Sequence, residues 1–185
     1  MTLTLITGPT RSGKSEWAEQ LAKQNALAKS QQVIYIATAQ SNPKDAEWQA
    51  RIEQHRQRRS AQWQVDEVPV ELAQCIAKYN EAHCLLIDSL GTWLANLIEQ
   101  DISAWNDSQA QLITKLAHTS ADVILVVEET GWGVVPAYRL GRTFRDRLGT
   151  LSRTIGEFAT DVYLVTSGYA VNISAIGERV TRKAQ

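Results

Sequence analysis

The chain has 185 residues, a length that predicts one domain with a full hydrophobic core. Apolar residues make up 44% and charged residues 21% of the sequence, which is typical of a folded globular protein and argues against wholesale disorder. Nineteen Lys and Arg balance twenty Asp and Glu, which gives a formal net charge of -1. Because proteins that coat nucleic acid usually carry a basic excess, we expect a small-molecule enzyme with no nucleic-acid partner.

No apolar stretch approaches the roughly 20 residues needed to cross a bilayer. The segment before the first glycine is too short for a signal peptide. Cys75 and Cys84 lack the spacing of a metal site, so both are predicted to be buried, reduced thiols. The sequence therefore predicts a cytoplasmic protein without a membrane span.

Five short apolar runs, at 3–7, 33–37, 84–88, 123–127 and 162–166, alternate with amphipathic stretches. Such runs are typical of parallel strands covered by helices on both faces. Helical patterns are found at 14–28, 72–79, 93–98 and 112–116, and after Pro136 on a stripe of Leu140, Phe144, Leu148, Leu151, Ile155 and Phe158. This alternation predicts a single α/β domain, 1–185, with a doubly wound, mainly parallel sheet and right-handed crossovers.

A glycine-rich segment follows the first predicted strand. It fits the pattern G-x-x-x-x-G-K-[ST] at every defined position, and it consists of Gly8, Pro9, Thr10, Arg11, Ser12, Gly13, Lys14 and Ser15. Its glycines permit the tight backbone path that turns successive N–H groups toward phosphate oxygens. Lys14 is expected to bridge the β- and γ-phosphates of ATP or GTP, and the Ser15 hydroxyl to join the shell of a Mg²⁺ ion. A chance glycine-rich turn is the alternative, but the preceding strand and following helix favour a nucleotide site.

A carboxylate partner for Mg²⁺ is expected at the carboxyl end of a strand, where the ligands of open α/β sheets gather. Asp88 ends the run 84–88 and is the first candidate. It is also placed to cap a helix that starts near Leu90, and the two roles do not exclude each other. Glu128 and Glu129 end another predicted strand and are the second candidates.

A helix is predicted at 45–59, after the start signal Asn42-Pro43. One face carries Trp48, Ile52, His55 and Arg59, beside a basic stripe of Arg51, Arg58 and Arg59. From the residues alone, the favoured interpretation is a surface histidine on a solvated charged face. The alternative is a nucleophile that attacks phosphorus while arginines hold the phosphates. His83 and His118 are interpreted as structural.

Several segments together resemble the bifunctional adenosylcobinamide kinase / adenosylcobinamide-phosphate guanylyltransferase family of cobalamin biosynthesis. The markers are G-P-T-R-S-G-K-S at 8–15, Y-I-A-T at 35–38, R-I-x-x-H-x-x-x-R-x-x-x-W at 51–63, L-I-D-S-L at 86–90 with W-L-x-N-L at 93–97, G-x-G-V-V-P at 131–136 and R-x-F-R-D at 142–146. They occur in family order from Gly8 to Gly168. The histidine segment and G-x-G-V-V-P are the specific parts of the match.

The resemblance implies a P-loop fold similar to the RecA-like core and two successive reactions. A nucleoside triphosphate phosphorylates adenosylcobinamide, and GTP then donates GMP to the histidine, here His55, and from it to the substrate phosphate. The product is adenosylcobinamide-GDP, and family members assemble as trimers. By family position, the residues that line the nucleotide site are Thr38, Ala39, Arg56, Arg58, Arg59, Glu67 and Asp88.

The chain departs from the family pattern at a few positions. Relatives often have Asn-Glu before the G-x-G-V-V-P turn, where this chain has Glu128-Glu129, and Gln54 takes the place of a second histidine before His55. Residues 176–185, which include Arg179 and Arg182, lie beyond the match and are expected to form a flexible end. The alternatives are a P-loop small-molecule kinase with a structural His55, and a RecA-type nucleic-acid-binding ATPase, which the balanced charge disfavours.

Overall fold

The computed structural model describes residues 1–180 except 41 and 43, and it leaves out the side chain of Arg51. A seven-stranded sheet forms the centre of the described chain, in the order β3-β2-β4-β5-β1-β6-β7. The strands are β1 (Leu3–Gly8), β2 (Gln32–Ala37), β3 (Gln64–Glu67), β4 (His83–Asp88), β5 (Asp122–Glu128), β6 (Asp161–Thr166) and β7 (Tyr169–Asn172). β1 to β6 pair in parallel and β7 is antiparallel to β6. The predicted mainly parallel sheet is confirmed.

The helices connect these strands and cover both faces of the sheet. They are α1 (Lys14–Lys29), α2 (Ala46–Arg58), α3 (Leu72–Ile76), α4 (Leu90–Asn96), α5 (Ile102–His118), α6 (Arg139–Gly156) and α7 (Ile173–Ile176). Along β4, Leu85 and Ile87 join the core beneath α3 to α6, whereas Cys84 and Leu86 join the core beneath α1. Alternate residues of a strand point to opposite faces, so this division shows that the sheet is buried on both sides.

Two strands escaped prediction because each is short and lies at an edge of the sheet. The four residues of β3 are mostly polar, so they lack the apolar run of a buried strand. β7 follows β6 after the turn Ser167-Gly168, where both residues have positive φ, 50° and 78°. Positive φ at both central positions is typical of a tight antiparallel hairpin. The five strands predicted from apolar runs are all present.

The apolar stripe of α6 is only partly buried. Leu148, Leu151 and Ile155 are at most 1% exposed, but Leu140 is 51% exposed. The prediction that Leu140 lies on the buried stripe is wrong, because the first turn of α6 lines an open cavity of about 330 Å³ instead of packing against the sheet. The wall of this cavity includes Ile98, beyond the end of α4, and Phe144.

Three further expectations concern the cysteines, the membrane and the C-terminal end. Cys75 and Cys84 are buried free thiols, as predicted. In the part of the chain that the structure describes, no helix is long and apolar enough to cross a membrane. Arg179 donates hydrogen bonds to the carbonyls of Glu157 and Ala159, at 2.8 and 2.9 Å, so the chain is attached to the fold at this position rather than loose. Arg182 lies outside the described residues.

Candidate nucleotide and histidine site

The glycine-rich segment forms a loop between β1 and α1, at the carboxyl edge of the sheet. Gly8 ends β1, and a Cβ built on it would lie 2.1 Å from the Val165 carbonyl oxygen, so no other residue fits there. Gly13 precedes α1 with φ of 95°, a left-handed conformation that glycine adopts at little cost. This strand–loop–helix context is the one that the nucleotide interpretation requires, because it directs the amino-terminal end of α1 at the loop.

Two polar side chains of this loop are buried. The side chain of Lys14 crosses the loop, with Nζ 3.1 Å from the Pro9 carbonyl, and the residue is only 7% exposed. The hydroxyl of Ser12 is also buried, and among the described residues it has no hydrogen-bond partner. Since buried polar groups are nearly always hydrogen-bonded, an orphan hydroxyl in a glycine-rich loop indicates a ligand that supplies the missing partner.

Asp88 stands at the centre of the site. It ends β4, and its side chain is 9% exposed. Oδ2 accepts a hydrogen bond from the Tyr35 hydroxyl at 2.7 Å and lies 3.4 Å from Nδ1 of His55, and Ser15 of the loop also donates to this carboxyl group. Burial opposes ionisation, but the hydrogen bonds from His55, Tyr35 and Ser15 outweigh it and hold the pKa of Asp88 below its usual range.

The cap of α4 is formed by other residues than Asp88. Ser89 precedes the helix, and its hydroxyl accepts from the Thr92 N–H at 3.3 Å. The carboxylate of Glu128 accepts from the Ser89 hydroxyl at 2.5 Å and from the Gly91 N–H at 3.0 Å. The cap interpretation of Asp88 is therefore wrong, and Glu128 stabilises the start of α4.

Glu129, the other second candidate, bonds within its own loop. Its carboxylate accepts from the Gly131 N–H at 3.0 Å. Its backbone N–H donates to the Gly8 carbonyl at 2.9 Å, which joins the start of the β5–α6 loop to the start of the phosphate loop. Glu129 therefore links two loops of the carboxyl edge.

His55 lies in the last turn of α2, a helix capped by the Asp45 side chain. Its imidazole is 25% exposed, and Nδ1 faces both Asp88 and the Arg58 guanidinium, 3.4 Å from each. A solvated surface histidine has no such partners, so the interpretation favoured from the residues alone is wrong. Because Ser15 and His55 both contact Asp88, one carboxylate connects the phosphate loop to the imidazole.

The arginines near His55 divide into two groups. Arg58 forms ion pairs with Glu16 and Glu19 of α1, at 2.5 and 3.1 Å, and the Arg59 guanidinium lies 3.9 Å from the centre of the Tyr35 ring. Both arginines therefore belong to the cluster around Asp88. Arg56 does not, because its side chain is 74% exposed and has a long 3.9 Å contact with Glu53 of its own helix.

The remaining candidates lie at the ends of β2 and β3. Thr38 is fully buried, and its hydroxyl donates to the Ser89 carbonyl at 2.7 Å and accepts from the Ser89 N–H at 2.9 Å. Its side chain therefore fixes the chain just beyond Asp88 and is not accessible to a nucleotide. Ala39 is half-buried beside it, and Glu67 ends β3 with an exposed side chain.

His83 and His118 lie outside the cluster, as predicted. Nδ1 of His83 is 2.8 Å from the Asn80 side-chain oxygen, and Nδ1 of His118 is 2.8 Å from the Thr114 carbonyl in the last turn of α5. Both contacts are local, which agrees with a structural role.

Comparison with known proteins agrees with this geometry. The family model described as cobinamide kinase / cobinamide phosphate guanyltransferase matches residues 4–173. The chain belongs to this family. The bifunctional adenosylcobalamin biosynthesis protein CobP of Pseudomonas aeruginosa is 42% identical over 166 residues, which cover 89% of this chain and 92% of that protein. CobU of Escherichia coli K12, with the same description, is 37% identical over 92% of this chain and 99% of its own length.

Among solved structures, an ATPase domain matches 88% of this chain and 68% of its own, with 10% sequence identity and a TM-score of 0.49.

Proposed function

We propose that this family member phosphorylates adenosylcobinamide with a nucleoside triphosphate and then transfers GMP from GTP to the product through His55, giving adenosylcobinamide-GDP. The observation that carries the proposal is the shared carboxylate: Asp88 bonds both to Ser15 of the phosphate loop and to the His55 imidazole. A nucleotide seated on the loop would therefore have its phosphates beside the histidine. The family membership and the curated relatives support both reactions.

The phosphate loop supplies the groups that phosphoryl transfer needs. Lys14 would neutralise negative charge on the β- and γ-phosphates, and the orphan Ser12 hydroxyl and the N–H groups of the loop would donate to phosphate oxygens. The Ser15 hydroxyl and the Asp88 carboxylate are neighbouring oxygen ligands, the kind that Mg²⁺ prefers, so these two residues would hold the ion. Bound there, Mg²⁺ would neutralise charge on the transferring phosphates.

The contacts of His55 identify its attacking atom. A carboxylate can only accept, so Nδ1 carries the hydrogen when it bonds to Asp88, and the lone pair is on Nε2. The Arg58 nitrogen near Nδ1 can only donate, and it already bonds to Glu19 at 3.1 Å. Asp88 thus stabilises the tautomer that leaves Nε2 nucleophilic, and it would stabilise the positive ring that forms on attack.

Guanylyl transfer then takes place in two displacements at the α-phosphorus of GTP. In the first, the Nε2 lone pair forms an N–P bond while the bond from phosphorus to the bridging oxygen breaks, and pyrophosphate leaves. In the second, a phosphate oxygen of the phosphorylated substrate attacks the same phosphorus, and the N–P bond breaks with its electron pair returning to Nε2. Arg59, at the edge of the cluster, is placed to stabilise the charge on the transferring phosphate.

Two variants test this division of labour. His55→Ala is expected to reduce formation of adenosylcobinamide-GDP by at least about 10³-fold, because the nucleophile is absent, while phosphorylation of adenosylcobinamide stays within about twofold. Lys14→Ala is expected to reduce both reactions by about 10²-fold or more. Both products are measured by chromatography of one reaction mixture. Normal guanylyl transfer by the His55 variant would end the covalent mechanism and leave a kinase.

The trimer and the cytoplasmic location belong to the same proposal. A trimer is supported by an uncovered apolar surface on the β5–α6 loop and the start of α6, where Val134 is 93%, Tyr138 68% and Trp132 63% exposed. The cytoplasm is supported by two free thiols, which are typical of a reducing compartment. Light scattering is expected to give about three times the chain mass of 20.6 kDa, and a monomer at all concentrations would contradict the trimer.

A further inference from the structure

The helix that carries His55 is held to the rest of the protein mainly by side chains near its C-terminal end. In the part of the chain that the structure describes, these ties are the His55–Asp88 contact, the ion pairs of Arg58 with α1, and the stacking of Arg59 on Tyr35. At the other end of α2, the Trp48 indole donates to the Gln40 carbonyl, eight residues earlier in the chain. α2 contributes no residue to either apolar core cluster. The position of the imidazole therefore depends on polar contacts.

Arg58 makes the strongest of these contacts. One guanidinium nitrogen lies 2.5 Å from Glu16, and another lies 3.1 Å from Glu19. Glu19 is the more buried of the two carboxylates, with a side chain 15% exposed against 56% for Glu16. Half-buried charge pairs lose less of their attraction to solvent than exposed ones, so the Glu19 pair should be the firmer tie.

The geometry relates this ion pair to the nucleophile. Arg58 follows His55 by three residues, so both side chains project from the same face of α2. Glu19 likewise follows Ser15 by four residues on α1, directly after the phosphate loop. The Arg58–Glu19 pair therefore joins the turn that carries the imidazole to the helix that starts at the bound phosphates.

We propose that Glu19 and Arg58, assisted by Glu16, are positioning residues for guanylyl transfer: their ion pair fixes α2 on α1, so that Nε2 of His55 is held within reach of the α-phosphorus. This inference rests on the proposed role of His55. The pair takes no part in phosphorylation of adenosylcobinamide, because that reaction does not use α2. Neither residue touches the reacting atoms.

The test compares both reactions in Glu19→Gln, which keeps the size of the side chain but removes its charge. The rate of GMP transfer to His55, measured at saturating GTP, is expected to fall about 10- to 100-fold, since a misplacement of about 1 Å can cost 10²-fold. The kinase rate in the same sample should stay within about twofold. Glu53→Gln, which removes an exposed carboxylate on the same helix, is the matched control and should change neither rate.

A charge exchange separates positioning from a general structural effect. Arg58→Glu alone is expected to slow GMP transfer at least as much as Glu19→Gln. In the double variant Glu19→Arg, Arg58→Glu the ion pair is restored with its signs reversed, and at least tenfold of the lost transfer rate should return. A double variant no faster than Arg58→Glu, with its kinase rate intact, would contradict the proposal.

The outcome for the wild-type protein keeps this inference apart from the proposed function. If the wild type acquires no GMP on His55, the proposed function fails and the role of the ion pair fails with it. If the wild type is labelled and Glu19→Gln is labelled at the same rate, the nucleophile is upheld and the positioning role of the pair is overturned.

Discussion

Two buried aspartates stand at opposite edges of the same sheet, Asp88 at the end of β4 and Asp122 at the start of β5. Both are nearly inaccessible, with side chains 9% and 2% exposed. In both, burial opposes ionisation but hydrogen bonds outweigh it, so that the pKa of each carboxyl group lies below its usual range. By burial and charge alone the two residues are hard to tell apart.

Their partners are what distinguish them. Asp122 binds the Lys29 ammonium at the end of α1, and it accepts from the Thr2 backbone N–H at 2.6 Å. These groups tie the first strand and the first helix to β5. Asp88 instead binds the hydroxyl of a phosphate loop and an imidazole, both of which have chemistry to perform when a nucleotide is present. A lowered pKa in a buried carboxylate therefore indicates a site only when its partners can react.

The largest expected effect belongs to Asp88→Asn. Loss of the carboxylate removes the acceptor that orients His55, so guanylyl transfer is expected to fall about 10²- to 10⁴-fold. The Mg²⁺ concentration needed for half-maximal kinase activity should also rise. The free energy of unfolding should change by less than about 1 kcal/mol, because the Tyr35 hydroxyl can still donate to the amide oxygen. Unaltered metal dependence would remove Asp88 from the magnesium site.

The opposite pattern is expected for Asp122→Asn. Both reactions should keep their rates, while the free energy of unfolding falls by about 1–3 kcal/mol, the cost of losing charge-assisted hydrogen bonds at a buried group. Urea unfolding measures this change. Slower chemistry at unchanged stability would show that the two edges of the sheet are not independent.

Acid makes the smallest and most specific difference. Since the folded pKa of Asp122 is lowered, its stabilising contribution is complete above about pH 4, the usual value for an unfolded aspartate, and is lost as the pH falls through the folded pKa. The stability difference between the wild type and Asp122→Asn should therefore shrink below about pH 4. A constant difference down to pH 2 would mean that the charge of Asp122 is not what stabilises the fold.

The sequence predicts the parts of this molecule that local patterns determine. The five central strands, the phosphate loop and Asp88 at a strand end follow from apolar runs and glycine spacing, because each depends on neighbours in the chain. The two short edge strands carry no such signal. Leu140 was misplaced because helical spacing shows which residues share a face but not where that face loses its cover.

The inner arrangement of the site depends on distant contacts. Tyr35 is an ordinary strand residue in the sequence, and Glu19 an ordinary helix residue, yet one bonds to Asp88 and the other to Arg58. These pairs form only when α2 lies against α1, which no periodicity shows. The importance of His55 followed from the family resemblance and not from its own segment, where a solvated face was the simpler interpretation.

The most direct test of the account is to incubate the protein with GTP labelled at the α-phosphate and to locate the bound label by digestion and mass spectrometry. We predict one GMP on His55, in a bond that acid breaks and base does not, and none on His55→Ala. Label on another residue, or equal labelling of the alanine variant, would contradict the central claim that this imidazole receives the guanylyl group.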